Sequence, residues 1–407
     1  MLPRPARRYV KARVLPPILR SIRVLTGARA ARPPAVRLGV EGRESFVGYY
    51  DVQPVSPDGA AILAHIVDVS LRAATSEDVV SVGYFRRESG DYVHLASTNL
   101  WCWQLGARLR WWPSEQRALA FNAIVGGVPS YCVVREGAAP ERLCDLPLFD
   151  VTADGGTGLA LNFGRLAWAR PGYGYPSLED PFADEALPER DGLTIVDMQS
   201  GRAELLYPIR DFAQLLDNGG GDAFHYLNAA SLSPTGKRFS VLHKRIPSAS
   251  DIHNWQVDAV IGETNGSGLR HVPLPGRASH YWWLDDDRIV YTANSGWRSS
   301  YCLFDLRDGS LAALHPEAPG VDGHPSLHPQ TGRWITDTYP DLLGEQSLYV
   351  LEPDGSSRII GRFRANPSYR DEWRSDLHPR WSRDGRSVVI DSTHDGPRAI
   401  FIVDLAE

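Results

Sequence analysis

Residues 376–405, DLHPRWSRDGRSVVIDSTHDGPRAIFIVDL, are the stretch whose reading decides the fold. The stretch opens as a His378-Pro379-Arg380-Trp381 strand and turns at Ser382-Arg383-Asp384-Gly385. It then alternates through 387–390, crosses 391–396 and leaves along 399–403. Asp-Gly between two apolar runs is a strong hairpin signal, because glycine adopts the positive φ of a tight turn without steric cost. The stretch therefore reads as one antiparallel strand-turn-strand-loop-strand unit.

The unit recurs along the chain from about residue 37. Further strand-turn-strand cores lie at 46–68 around Ser56-Pro57-Asp58-Gly59, at 101–122 around Trp112-Pro113-Ser114-Glu115, and at 149–170 around Asp154-Gly155-Gly156. Three more lie at 224–244 around Ser233-Pro234-Thr235-Gly236, at 280–294 around Asp285-Asp286-Asp287, and at 324–341 around His328-Pro329-Gln330-Thr331-Gly332. An interval of roughly 45 to 60 residues with about four strands per unit is the mark of a β-propeller. The expectation is an all-β, seven-bladed β-propeller over 37–407. The last unit has only three strands, so a segment at 36–40 is expected to supply the fourth and close the ring, leaving no open edge. Two insertions interrupt the repeat, 170–191 and 207–222, the second with a Gly219-Gly220-Gly221 run; long loops on a rigid scaffold are where sites are built.

Composition bounds the partners. The net charge of -6 conceals a basic leader: residues 1–40 hold ten of the 43 Lys and Arg and none of the 49 Asp and Glu, so the rest carries 33 basic against 49 acidic side chains, or -16. An acidic body excludes nucleic acid as the main partner. Arg and Pro interrupt the leader throughout, which argues against a secretory signal or a membrane span. Residues 1–36 then read either as a disordered leader or as an interfacial helix, with Ile18, Leu19, Ile22 and Leu25 on one face beside Arg20 and Arg23 and in peripheral contact with anionic lipid. The expected location is cytoplasmic, with membrane association through this leader. Cys102, Cys132, Cys144 and Cys302 are scattered and form neither a CxxC pair nor a disulfide framework, so they read as buried thiols.

The position just ahead of each hairpin carries the informative residues: Tyr49-Tyr50-Asp51, Trp103-Gln104, Asn228-Ala229, His280-Tyr281, His324-Pro325 and His378-Pro379. In a propeller the first strand of each blade lines the central channel, so His280, His324 and His378 are expected to face a common space. Three converging imidazoles suit a divalent transition metal with an open coordination position; equally, each imidazole can bond the backbone within the strand packing. Asn162 and Tyr339 stand at strand ends, and Tyr173 and Tyr175 lie in the RPGYGYP loop. Tyr50, Gln104, Asn162, Asn228 and Tyr339 are the candidate substrate-binding residues.

GYYD at 48–51, WCWQ at 101–104, LNFGRL at 161–166, RPGYGYP at 170–176, SHYWW at 279–283, GHPSLHPQTGRWITDTYPD at 323–341 and the opening stretch together resemble one family. They are similar to the oligogalacturonate lyase and ulvan lyase type of seven-bladed propeller, relatives of the TolB-type propellers, some of which occur with bacterial surface-polysaccharide genes. The resemblance runs from about residue 46 to 405. Such lyases cleave uronic-acid glycans by β-elimination: a base removes the C5 proton, a metal or a cationic side chain neutralises the adjacent carboxylate, and a Tyr or His protonates the leaving O4. The resemblance implies an anionic glycan partner and a divalent metal, manganese, zinc or calcium, on His280, His324 and His378. It also implies Tyr173 or Tyr175 as the acid and Arg380 as a partner of the substrate carboxylate. One departure concerns the base: the family pattern has an Asn-His pair in the fourth blade, where this chain has Asn228-Ala229. Alanine cannot move a proton, and His225, about 13 Å away along the same strand face, is the expected substitute. The alternative reading is a non-catalytic propeller that binds a glycan or a protein in surface-polysaccharide biosynthesis.

Overall fold

The computed structural model describes residues 33–405 apart from 114, 217–221, 297, 316, 317 and 319. The leader helix expected at 18–25 and the Gly219-Gly220-Gly221 run therefore lie outside the described residues. Among the described residues, seven four-stranded antiparallel sheets form the blades of a β-propeller, and no helix is long and apolar enough to cross a membrane.

The hairpins follow from their turn residues. In the seventh blade the Ser382 N–H donates to the Ser387 carbonyl (2.8 Å), and the Gly385 N–H donates back to the Ser382 carbonyl (2.9 Å). The Ser382 hydroxyl donates to Asp384 (2.5 Å) and accepts from the Ser387 N–H (3.0 Å). Gly385 sits at φ +68, which explains the glycine. Ser56, Asp58 and Gly59 repeat the arrangement in the first blade, and Thr152, Asp154 and Gly155 in the third.

Inner-strand indoles then tie blade to blade. Trp381 donates to the Ser326 carbonyl of the sixth blade (3.1 Å), Trp283 to the Ser231 hydroxyl of the fourth (3.1 Å), and Trp111 to the Pro54 carbonyl of the first (3.0 Å). A buried indole needs such an acceptor, so each Trp fixes the stagger of its blade as well as filling the gap.

The ring closes as expected. Ala35–Leu38 pairs antiparallel with Ala399–Asp404, Val36 opposite Ile402, and completes the seventh blade. The strand starts at Ala35, slightly inside the stretch read as leader. Leu38 packs with Val47, Ile62, Val389, Ile400 and Ile402, a cluster drawn from both ends of the chain.

Polar groups reinforce that seam. Asp391, fully buried, accepts from the Val47 N–H (2.9 Å) and the Gly48 N–H (3.4 Å) and pairs with Arg398 (3.2 Å) and Arg380 (3.5 Å). Arg380 in turn donates to the Tyr49 carbonyl (2.9 Å) and to the Gly48 carbonyl, and Arg398 donates to the Trp103 carbonyl (3.0 Å).

Two helices stand where none was expected, one at the end of the third strand-turn-strand core and one in the second insertion. Phe163–Ala169 begins where Asn162 caps it, its side-chain oxygen accepting from the Arg165 N–H (2.9 Å). Ile209–Leu215, inside the second insertion, buries Ile209, Phe212 and Ala213, spaced as one helical face.

Replacing Asp391 with alanine leaves two buried guanidinium groups uncompensated. A loss of roughly 3–5 kcal/mol is expected, read as a lowered denaturant midpoint; an unchanged midpoint would remove the seam from any stabilising role.

Candidate functional site

The inner strands share one register, counted four positions ahead of the residue whose N–H closes the hairpin. By that register Val52 precedes Ser56, Arg108 precedes Trp112, Leu148 precedes Thr152 and Ala229 precedes Ser233; His280, His324 and His378 precede Leu284, His328 and Ser382. The three histidines thus occupy equivalent positions of consecutive blades, and Ala229 is their counterpart in the fourth. The backbone is left-handed at Arg108 (φ 52), Ala229 (φ 55) and His378 (φ 45). Such a conformation in bulky residues marks a position held by its surroundings.

The imidazoles meet in space. The His280 and His324 rings are 4.1 Å apart between centroids, and those of His324 and His378 are 4.3 Å apart. Tyr49 and Tyr50 form the floor, with Tyr49 5.0 Å from His378 and Tyr50 5.4 Å from His324. The Tyr50 hydroxyl is held by the Tyr281 backbone, donating to its carbonyl (2.9 Å) and accepting from its N–H (3.0 Å).

Second partners orient every ring. His378 Nδ1 donates to the Gly48 carbonyl (2.9 Å), His324 Nδ1 faces Asp337 (2.8 Å), and His280 Nδ1 faces Asp322 (3.2 Å). The Nε2 atoms of His324 and His378 are buried and have no hydrogen-bond partner among the described residues. Nδ1 anchored on an oxygen with Nε2 left without a protein partner is how metal-ligating histidines are presented. Asp376, buried beside them, brings a carboxylate oxygen within 4.8 Å of the ligand atoms of His324 and His378. Burial, reinforced by His324 and the nearby guanidinium groups, drives His378 far below the usual imidazole range, so its Nε2 carries a lone pair. For His324 burial works the same way, but Asp337 outweighs it and holds the ring above its ordinary value. The His324 Nε2, buried without a protein acceptor, suits a metal ion in place of a proton.

A cationic wall rises beside the cluster. Arg374 donates to the Tyr173 hydroxyl (2.7 Å) and to Asp376 (2.8 Å), and lies over the Tyr173 and Tyr339 rings at 5.8 and 6.0 Å. Arg170 spans the rings of Tyr173 (5.1 Å) and Trp255 (5.2 Å), while Arg277 (5.1 Å) and Lys244 (4.6 Å) also lie over Trp255. Tyr339 is 5.7 Å from His324, and Tyr173 is 6.1 Å from Tyr49. Three guanidinium groups in one place on an acidic chain, with the Lys244 amine among them, create a local field for an anion.

The structure thus gathers His280, His324, His378, Tyr50, Tyr173 and Tyr339. Other expected residues have structural partners instead. Tyr175 stacks on Phe163 at 4.1 Å and accepts from the Asn122 amide (2.8 Å) in the apolar core. Arg380 is occupied by the Gly48 and Tyr49 carbonyls. Gln104 donates to the Glu372 (3.0 Å) and Arg374 (3.1 Å) carbonyls, so it positions the Arg374 segment. The Asn228 side chain accepts from the Ala229 N–H (2.8 Å). His225 bonds His243 (3.0 Å), on the sheet face opposite to Asn228. Asp322, Asp376, Arg170, Lys244, Trp255, Arg277 and Arg374 were not among the expected residues, since they come from a second strand, from loops and, for Arg277, from the start of an inner strand, away from the register position that marks the histidines.

No family model and no curated protein matches the chain. Its backbone matches "Oligogalacturonate lyase in complex with manganese" over 93% of this chain and 96% of that one, with a TM-score of 0.67 and 14% identity. The fold is that of the oligogalacturonate lyases. A second such lyase, from Vibrio parahaemolyticus, matches over 93% of this chain and 96% of its own, with a TM-score of 0.63 and 13% identity. The β-propeller domain of the Trilobed protease from Pyrococcus furiosus matches over 90% and 95%, with a TM-score of 0.51 and 10% identity.

Asn162, besides capping its helix, donates to Asp180 (2.8 Å) and Asp191 (3.0 Å). Burial pushes the Asp191 carboxyl up to about 6, against the pull of Asn162 and Arg165. The folded state therefore holds the Asp191 proton more tightly than the unfolded chain, and this contribution to stability is lost as pH rises from about 4 to about 6. Stability measured against an Asp191→Asn variant should fall across that window by on the order of 2–3 kcal/mol; parallel curves would refute the assignment.

Proposed function

We propose that the protein is a lyase that opens uronic-acid glycans by β-elimination at the imidazole cluster. The observation that carries this is the pair of buried, unpartnered Nε2 atoms of His324 and His378 beside Tyr173 and the cationic wall. His324 and His378, with His280 and Asp376, would hold a divalent cation, manganese, zinc or calcium. When bound, that cation would neutralise the uronate carboxylate and so acidify the C5 proton.

The chain's own residues then have distinct tasks. Arg374 and Arg170 orient the substrate's carboxylates. The Tyr173 hydroxyl, whose oxygen already accepts from Arg374, keeps its own O–H free to protonate the departing O4. The Tyr49 and Tyr50 rings close the channel below the sugar and exclude water.

One observation favours the second reading, a non-catalytic glycan-binding propeller of surface-polysaccharide biosynthesis: the fourth blade presents Ala229 where its neighbours present imidazole. Incubation of the manganese-loaded protein with a panel of uronic-acid oligomers separates the two. The lyase reading expects ultraviolet absorbance from the unsaturated product, loss of that signal with a chelator, and a kcat about 10²-fold lower in Tyr173→Phe at similar KM. Oligomer binding without any unsaturated product would establish the second reading.

Metal binding is checked by calorimetric titration of manganese. His324→Ala and His378→Ala should abolish it, and Asp337→Asn should weaken it by roughly 10- to 100-fold through loss of ring orientation. Unaltered affinity in all three places the ion elsewhere.

A further inference from the structure

Elimination at C5 needs a base in its unprotonated form that is not already tied up, and most groups around the site do not offer one. The three imidazoles face the proposed cation. Tyr49, Tyr50 and Tyr339 are pushed far above the ordinary phenol range, chiefly by burial, so they retain their protons. The arginines stay charged. Ala229 has no group to offer, and His225 is turned to the far face of its sheet.

Lys244 is on the near face. In the fourth blade Tyr226 pairs with Lys244, and Asn228 with Leu242. Strand alternation therefore puts Lys244, Leu242, Tyr226 and Asn228 on one face, and His225, Leu227, His243 and Arg245 on the other. Leu242 packs against Ala278, Tyr281 and Tyr291, so the Lys244 face is the one turned to the fifth blade and His280.

Three further features single out this lysine. It is 5% exposed, and buried lysines are ordinarily paired with a carboxylate. Here no hydrogen bond or ion pair holds its amine among the described residues; only the Trp255 ring faces it, at 4.6 Å. Its charged neighbours are Arg170, Arg277 and Arg374, opposed by Asp322, whose carboxylate is taken up by His280, Ser279 and Asn294. Burial, and after it Arg170, carries the amine well below its ordinary value, despite the attraction of Asp322. An amine whose charged form is disfavoured by burial and by a wall of fixed cations is a base beside an anion site.

We propose that Lys244 takes the C5 proton of the uronate, a role that rests on the lyase reading above. The Lys244 lone pair forms the N–H bond while the C5–H electrons become the C4=C5 double bond. The C4–O4 bond breaks, and its electrons leave on O4, which takes a proton from Tyr173. Lys244 then releases its proton to solvent and Tyr173 regains one, so no external reactant is consumed.

The test compares Lys244→Met, Lys244→Arg and Lys244→Ala with the parent protein, all loaded with manganese and assayed for unsaturated product from a uronic-acid oligomer. Expected is a loss of 10²- to 10⁴-fold in kcat for all three, with manganese affinity and near-ultraviolet circular dichroism unchanged. Lys244→Ala should recover activity with added methylamine or ethylamine, which a merely structural or electrostatic role would not produce. Full activity in Lys244→Arg, or failure of every amine to rescue Lys244→Ala, overturns the proposal while the lyase reading stands. Absence of product from the parent protein overturns both.

Discussion

Asp391 is the point at which the two ends of the chain are held together. Its carboxylate is buried in the seventh blade, yet it accepts from two backbone N–H groups of the first blade and balances two buried guanidinium groups. Burying three charges is costly unless each is compensated, and here the guanidinium partners are local while the two N–H donors lie more than 300 positions away. The same contacts fix Gly48, whose carbonyl accepts from His378 Nδ1. Ring closure and the orientation of a candidate ligand thus share one peptide unit, so a slip of the seam would turn the imidazole.

A similar economy governs the cationic wall. Trp255 and Tyr173 offer ring faces to Arg170, Arg277 and Arg374, replacing part of the hydration these guanidinium groups lose, and Trp255 also faces the Lys244 amine. Arg374 is further placed by Asp376 and, through its backbone carbonyl, by Gln104. The aromatic residues of the channel mouth are therefore scaffolding for charge. That arrangement keeps the guanidinium groups from standing unpaired beside the imidazole cluster.

Much of the fold was legible before any coordinates. Ser-x-Asp-Gly turns and alternating strands recur at a regular interval because every blade solves the same local problem, and the three-stranded final unit already required an N-terminal partner. His280, His324 and His378 were legible for the same reason: they stand at one register position of consecutive repeats. Tyr175, Arg380 and His225 differ because their roles depend on what lies opposite. Tyr175 meets Phe163 and Asn122, Arg380 meets two carbonyls of a distant blade, and His225 meets His243 on the far face of its sheet.

The sequence by itself determined the architecture, the ring closure and the equivalence of the three histidines, because turn chemistry, alternation and register are local and repeat along the chain. Only the tertiary structure decided which polar residues are tied up as structural bonds and which remain open. It also brought Lys244, Arg170, Arg277 and Arg374 around Trp255 and Tyr173, from loops and strands of three successive blades and the segment that leads into the seventh. The availability of a side chain is set by neighbours that arrive from other blades, and no local pattern encodes them.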